Sequence, residues 1–250
     1  MISGNWLLQL VNEQVLCMRI GIISDIHGNL SALETVLKKL KELKAETIYC
    51  LGDTVGYGPF PNECIARVRD SCAVVLKGNH DSGLLGETPL TDFNQYGVQA
   101  ILWSQKIVKD KNISYLKSLP VSTEKDGLTL AHASPADPEH WTYVLTVRAA
   151  KEAFKAYSTD LCFIGHTHVP VVIGEDASIN TYQPGERFII NVGSVGQPRD
   201  GNPNSAFGLY DTENGTYELM RIPYDIERTA KAIEKAGLPK FLALRLFQGI

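Results

Sequence analysis

Short apolar runs interrupt the chain at 18–23, 47–51, 73–76, 128–131, 161–164 and 188–192, as in MRIGII and LCFI. Runs this short, rich in β-branched and large aliphatic residues and closed by turn residues, predict buried strands. Between them the spacing changes. Leu30, Leu33, Leu37, Leu40 and Leu43 recur at helical intervals behind Ser31 and Glu34, an S-x-x-E capping box. Further helical patterns cover 62–69, 92–108, 147–157 and 226–236. Strands alternating with helices predict an α/β fold. The stretch SAFGLYDTENGTYELMRI reads as a hairpin turning at Asn214-Gly215, which makes the sheet mixed. The pattern is continuous from Met18 onward, so 18–250 is expected to be a single domain. Residues 1–17 hold a short apolar patch without a basic start or a small-residue cleavage site, and are expected to be an extension.

The first residues after each run are polar and chemically loaded. SDIHGN comes after the first, GDTVGYG after the second, KGNHD after the third, AHASP after the fourth and GHTH after the fifth. In open α/β sheets the carboxyl ends of strands gather on one rim, where ligands bind. Five of the six histidines lie in these loops; only His140 does not. A single D-x-H or H-x-H is ordinary as a solvated turn. Five strand ends that each supply a carboxylate, imidazole or carboxamide predict a shared site.

Composition narrows the chemistry. A chain of 250 residues, 44% apolar, can bury a sizeable core, and a formal charge of −4 excludes a broad cationic surface for nucleic acid. No stretch nears the roughly 20 apolar residues needed to span a bilayer. Cys17, Cys50, Cys64, Cys72 and Cys162 are odd in number and show no C-x-x-C spacing, which predicts reduced thiols and a cytoplasmic protein. Oligomeric state leaves no signal in the sequence.

The candidate donors Asp25, His27, Asp53, Asn79, His132, His166 and His168 are all oxygen or nitrogen ligands. That set suits Mn²⁺, Fe, Co, Ni or Zn²⁺ rather than a thiolate zinc site. It is also too large for one ion, and two ions sharing a carboxylate would use it fully. Alternation in H-x-H lets His166 and His168 serve different ions if Thr167 allows a bend. Ser194 in VGSVG misses the G-x-S-x-G nucleophile pattern, and there is no phosphate-binding G-x-x-x-x-G-K loop.

In this order, D-x-H, G-D, G-N-H-D, H and G-H-T-H resemble the calcineurin-like metallophosphoesterase superfamily from Arg19 to about Arg199. The resemblance implies two mixed sheets packed as a sandwich flanked by helices, and a two-metal hydrolase in which water attacks phosphorus. It assigns Asp25, His27, Asp53 and His168 to one ion and Asp53, Asn79, His132 and His166 to the other, with Mn²⁺ first among the metals. His80 would face the leaving-group oxygen. CLGDTVGYGPFPNEC, HASPADP and NVGSVGQPRDGNP are similar to the small bacterial and archaeal phosphodiesterase-like members, although Ala133 and Ala136 replace a usual glycine and a frequent arginine. The implied substrate is a small phosphodiester or dinucleoside polyphosphate. Tyr57 and Arg199, in Gly-rich loops, are candidate substrate contacts. Relatives also include phosphomonoesterases, protein phosphatases and non-catalytic scaffolds such as the retromer subunit. The scaffolds tend to lose motif histidines, all of which are present here.

Overall fold

The computed structural model describes residues 18–250, and the 1–17 extension lies outside the described residues. Two five-stranded mixed sheets face each other. The first runs β10(Thr216–Ile222), β9(Ser205–Asp211), β1(Arg19–Ile23), β2(Thr47–Cys50), β3(Val74–Val75). The second runs β4(Ser122–Lys125), β5(Leu128–Ala131), β6(Leu161–Ile164), β8(Phe188–Asn191), β7(Val171–Gly174). Each contains one parallel trio, β1-β2-β3 and β5-β6-β8, with Ile20 opposite Thr47 and Leu161 opposite Phe188.

The apolar runs are continuous because each trio is covered on both faces. Ile20 and Ile22 of β1 meet Leu161 and Phe163 of β6 in the layer between the sheets. Ile23 turns outward against Leu33, Val36 and Leu40 of α1(Leu30–Glu42), and Val68 of α2(Pro61–Ser71) joins the same layer. Gly21 also faces α1, where a Cβ would lie 2.6 Å from Leu40. Cys162 and Ile164 face Ala150, Ala153 and Phe154 of α6(Val147–Phe154). The remaining helices are α3(Asn79–Leu85), α4(Gln95–Ile107), α5(Asp110–Lys117), α7(Ile226–Lys235) and α8(Lys240–Gln248). None of the described helices is long and apolar enough to cross a membrane.

One local expectation is corrected. Asn29, not Ser31, caps α1: its Oδ1 accepts from Ala32 N, while Ser31 sits inside the helix. Asn29 prevails because it also bonds distant chain, donating to Gly196 O at 2.8 Å and accepting from Thr229 Oγ1 at 2.9 Å. The expected hairpin forms between β9 and β10, through the four residues 212–215 rather than a two-residue turn.

Candidate metal centre

Both parallel trios end on the same rim. From the first come Asp25 and His27 after β1, Asp53 after β2, and Asn79 and His80 at the start of α3. From the second come His132 after β5 and His166 and His168 after β6. Backbone bonds fasten these loops: His27 N donates to Asp53 O at 2.9 Å, Gly165 N to His132 O at 3.0 Å and Gly196 N to Asp25 O at 3.0 Å. Side chains join the sheets as well. His166 N donates to Asp25 Oδ2 at 2.9 Å, and Ser194 Oγ, set aside as a nucleophile, donates to Asp25 O at 2.8 Å.

The loops are strained to do this. Asp25, His27, Asp53, Tyr57, His166 and His168 all have φ between 51° and 67°. For residues with a Cβ this left-handed region costs about 1–2 kcal/mol each, and it concentrates at functional sites. Two glycines leave room for the carboxylates: a Cβ on Gly78 would lie 2.1 Å from Asp53 Oδ1, and one on Gly165 2.5 Å from Asp25 Oδ2.

The tautomers follow from the acceptors. His27 Nδ1 meets Val55 O at 3.0 Å, His132 Nδ1 meets Leu51 O at 2.9 Å and His168 Nδ1 meets Gln197 O at 2.6 Å. A carbonyl only accepts, so each Nδ1 carries a proton, and each ring when neutral presents an Nε2 lone pair to the other side. Those lone pairs converge. His27 Nε2 and His168 Nε2 are 3.0 Å apart, and His168 Nε2 is 3.2 Å from Asp25 Oδ1. Asp53 Oδ2 lies between the two halves, 3.6 Å from His27 Nε2 and 3.4 Å from His132 Nε2. Asn79 Oδ1 is 3.2 Å from His132 Nε2.

Asp25, His27 and His168 thus form one compact group and Asp53, His132 and His166 another, so the two histidines of H-T-H are divided between them. His27, Asp53 and His80 make a third combination. Asp25 Oδ1, His80 Nδ1 and His166 Nε2 are buried with no hydrogen-bond partner. Buried acceptors aimed at one another repel unless a cation lies among them. The residues therefore fit divalent metal binding.

Charge state agrees with this packing. Burial pushes His80 down to about 4 and His166 to about 3, and lowers His27 and His168 as well. Burial also opposes charge on His132, but Asp53 beside it overcomes this and raises it to about 9. Burial would raise Asp25 and Asp53, yet the surrounding imidazoles hold both carboxylates below the ordinary range.

A cavity of about 10 Å³, lined by Asp53, Asn79, His80, His166 and His168, opens beside Tyr57, Tyr143 and Arg199. Tyr57 is only 4% exposed, and its ring packs 4.8 Å from His27 and 4.5 Å from His80. Arg199 donates from Nη2 to Gln197 Oε1 at 3.0 Å, while its buried Nε has no partner. His140 lies elsewhere, exposed and paired with Asp137 at 2.8 Å.

Three further residues support the site: Asp81, the last residue of the G-N-H-D motif, and Asn191 and Tyr143, which carry no motif. Asp81 accepts from the backbone N of Thr54, Val55 and Gly78, bracing the Asp53 loop. Asn191, at the end of β8, donates to Gly165 O at 2.6 Å and Thr167 Oγ1 at 2.9 Å, holding the H-T-H turn. The rule that found the other loops, a polar residue where an apolar run stops, also marks Asn191. Tyr143 stacks on His166 with centroids 3.9 Å apart, and its loop carries no comparable signal.

Comparison with known proteins is consistent with this geometry. The family described as the calcineurin-like phosphoesterase superfamily domain matches residues 18–215. A crystal structure of a metallophosphoesterase from Sphaerobacter thermophilus superposes with a TM-score of 0.84 at 38% identity, covering 94% of this chain and 100% of that one. An uncharacterised protein of Methanocaldococcus jannaschii is 40% identical over 92% of this chain and 98% of its own length. Phosphodiesterase YfcE of Escherichia coli is 27% identical over 78% of this chain and 89% of its own. With strand-end donors facing a common rim and the family match spanning both sheets, this chain belongs to the calcineurin-like phosphoesterase superfamily and is a phosphoester hydrolase.

Proposed function

We propose that the chain is a dinuclear metal-dependent hydrolase of small phosphodiesters or dinucleoside polyphosphates. The observation that carries this reading is the set of converging acceptors: carbonyl-fixed imidazole Nε2 atoms directed at two carboxylates. Asp25, His27, Asp53 and His168 would hold one ion and Asp53, Asn79, His132 and His166 the other, Asp53 being shared. A donor set of oxygen and nitrogen without cysteine suits Mn²⁺, Fe, Co, Ni or Zn²⁺, of which Mn²⁺ is taken first. When bound, such ions supply Lewis acidity toward the phosphoryl oxygens and lower the pKa of the attacking water.

The protein's own groups then divide the work. Arg199 keeps one guanidinium edge on Gln197 and has donors left for phosphoryl oxygens. Tyr57 supports the rings of His27 and His80 and lines the opening, where it would contact substrate. His80 donates its backbone N to Asp53 Oδ1 at 2.8 Å, which keeps its ring beside the cluster. Burial holds that ring neutral near pH 7, so it can protonate a departing oxygen only after the substrate's negative charge has raised its pKa. The preference for diesters is supported by the similarity to the phosphodiesterase of Escherichia coli. Among the described residues the four cysteines are free, three of them buried, which supports a cytoplasmic setting.

The test is metal content together with a substrate panel. Elemental analysis is expected to find close to two ions per chain after Mn²⁺ reconstitution. Aryl diesters or dinucleoside polyphosphates should be hydrolysed faster than aryl monoesters or a phosphopeptide. Occupancy of one ion or fewer would remove the dinuclear reading, and activity confined to monoesters would remove the substrate class.

A further inference from the structure

Beside the metal centre runs a groove of about 260 Å³, between the start of α6, β7 and the turn after β7. Its walls are Leu145, Val147, Val169, Val171, Ile173 and Ile179. Three of these are strongly exposed for large apolar side chains: Leu145 at 66%, Val147 at 58% and Ile179 at 80%. Such a patch favours an apolar occupant by about 25 cal/mol per Å² covered.

Two chain connections join the groove to the reaction centre. Thr167 lines the groove while its neighbours His166 and His168 line the metal cavity. Val144 lines the groove while Tyr143, the residue before it, lines that cavity and stacks on His166. The groove and the metal cavity are therefore built from the same two loops, which places the groove next to the cluster.

The lining also specifies the occupant. No charged side chain is present, so a second phosphate would find no counter-charge. The polar side chains are Thr146 and Thr167, and both hydroxyls are engaged. Thr146 Oγ1 accepts from Ala149 N at 3.2 Å. Thr167 Oγ1 donates to Val169 O at 3.2 Å and accepts from Asn191 Nδ2 at 2.9 Å. Of these two side chains, only the Thr146 hydroxyl proton is left to read the polar edge of a ligand. The volume lies just below the range of about 300–1,000 Å³ typical of small-molecule pockets, which suits one ring or a short chain.

We infer that this groove is the subsite for an uncharged apolar substituent, a short alkyl chain or single aromatic ring, of the phosphoester whose phosphorus sits at the Asp/His cluster. The inference rests on the reaction proposed above, and the experiment separates the two. Binding of methyl-, butyl- and phenylphosphonate to the Mn²⁺-reconstituted protein is measured by calorimetry, alongside turnover of methyl and butyl p-nitrophenyl phosphodiesters.

Each fully buried methylene is worth about 0.8 kcal/mol, or about fourfold. Butylphosphonate should therefore bind about tenfold or more tightly than methylphosphonate, and phenylphosphonate comparably. In Ile179→Asp and Leu145→Asp, both at exposed positions that accept a charge, the butyl-to-methyl ratio should collapse toward one, each variant's own methyl value being the reference. A flat ratio in the unsubstituted protein, or one unchanged in both variants, would overturn the subsite. So would a dimer that Ile179→Asp dissociates, because a second copy would then fill the groove. A steep phosphonate ratio without any turnover upholds the subsite and removes the hydrolase reading, whereas turnover with a flat ratio does the reverse.

Discussion

The two sheets run parallel trios to the same rim, yet they deliver different chemistry. β1, β2 and β3 end in Asp25, His27, Asp53, Asn79 and His80, which include both carboxylates of the cluster. β5, β6 and β8 end in His132, His166, His168 and Asn191, without a carboxylate among them. The negative charge needed to hold cations thus comes from one sheet, and most of the imidazole donors come from the other. Neither half is a site alone. Packing Ile20 and Ile22 against Leu161 and Phe163 is what brings acid to imidazole. The difference also separates failure modes: damage to the first sheet's loops should remove charge, and damage to the second should misplace rings.

The largest effect is expected at the carboxylate between the two halves. Asp53→Asn should strip most bound metal and lower turnover about a thousandfold or more, equivalent to several kcal/mol of transition-state stabilisation. Asp81→Asn, which loosens only the backbone brace, should cost far less. Equal losses in metal content, read by elemental analysis, would break the distinction between donor and brace.

Next comes His80, the first sheet's imidazole outside the proposed donor set. With alkyl leaving groups His80→Ala should lose about a hundredfold, the lower end of general-acid effects because the ring starts neutral. With p-nitrophenyl esters the loss should be much smaller, since that leaving group needs little protonation. A uniform loss across leaving groups at unchanged metal content would leave His80 as a positioning residue.

In the second sheet, Asn191→Leu removes the bonds to Gly165 O and Thr167 Oγ1. Groups that orient metal ligands typically contribute about 10–100-fold in metal affinity, and a loss of that size is expected in a Mn²⁺ titration. Unchanged affinity would show that the strained H-T-H turn keeps its shape without the amide.

The smallest effect is on the chelated protein. His27, His80, His166 and His168 are lowered by burial, so between about pH 6.5 and their folded values the unfolded chain binds more protons, and stability falls as pH drops. Asp81, raised by burial to about 7, acts in the opposite direction between about 3.8 and 7, but it is one group against four. His132, raised to about 9, contributes stability that is lost as pH climbs from 6.5 through 9. Thermal melts in chelator should therefore peak near neutral pH and fall most on the acid side. A melting temperature that rises steadily down to pH 5 would contradict the buried neutral imidazoles.

Much of this molecule is legible locally. Strands buried on both faces must be apolar at nearly every position, so β1, β2, β5, β6 and β8 stand out without any partner in view. Where they stop, glycine, aspartate, asparagine and histidine mark the loops, and the donor set can be assembled from strand ends alone. Elements without that signature stay hidden. β4 reads STEK and is half exposed, a strand only because it pairs antiparallel with β5. α3 begins at Asn79 within GNHD, a sequence equally suited to a turn. β7 comes after His168 with only Val169 and Pro170 between them.

The choice of helix cap, Asn29 over Ser31, rested on bonds to Gly196 and Thr229 that no local window contains. The same holds for the chemistry. Which residue types meet was set by the chain's own order of strands and loops. Which nitrogen of each ring carries the proton, and that the lone pairs converge on Asp53 and Asp25, was decided by the carbonyls of Leu51, Val55 and Gln197. For His132 the acceptor lies 81 residues away, at the end of a strand of the other sheet, and for His168 it lies 29 residues away, beyond the neighbouring strand β8, so each becomes a neighbour only in the folded chain.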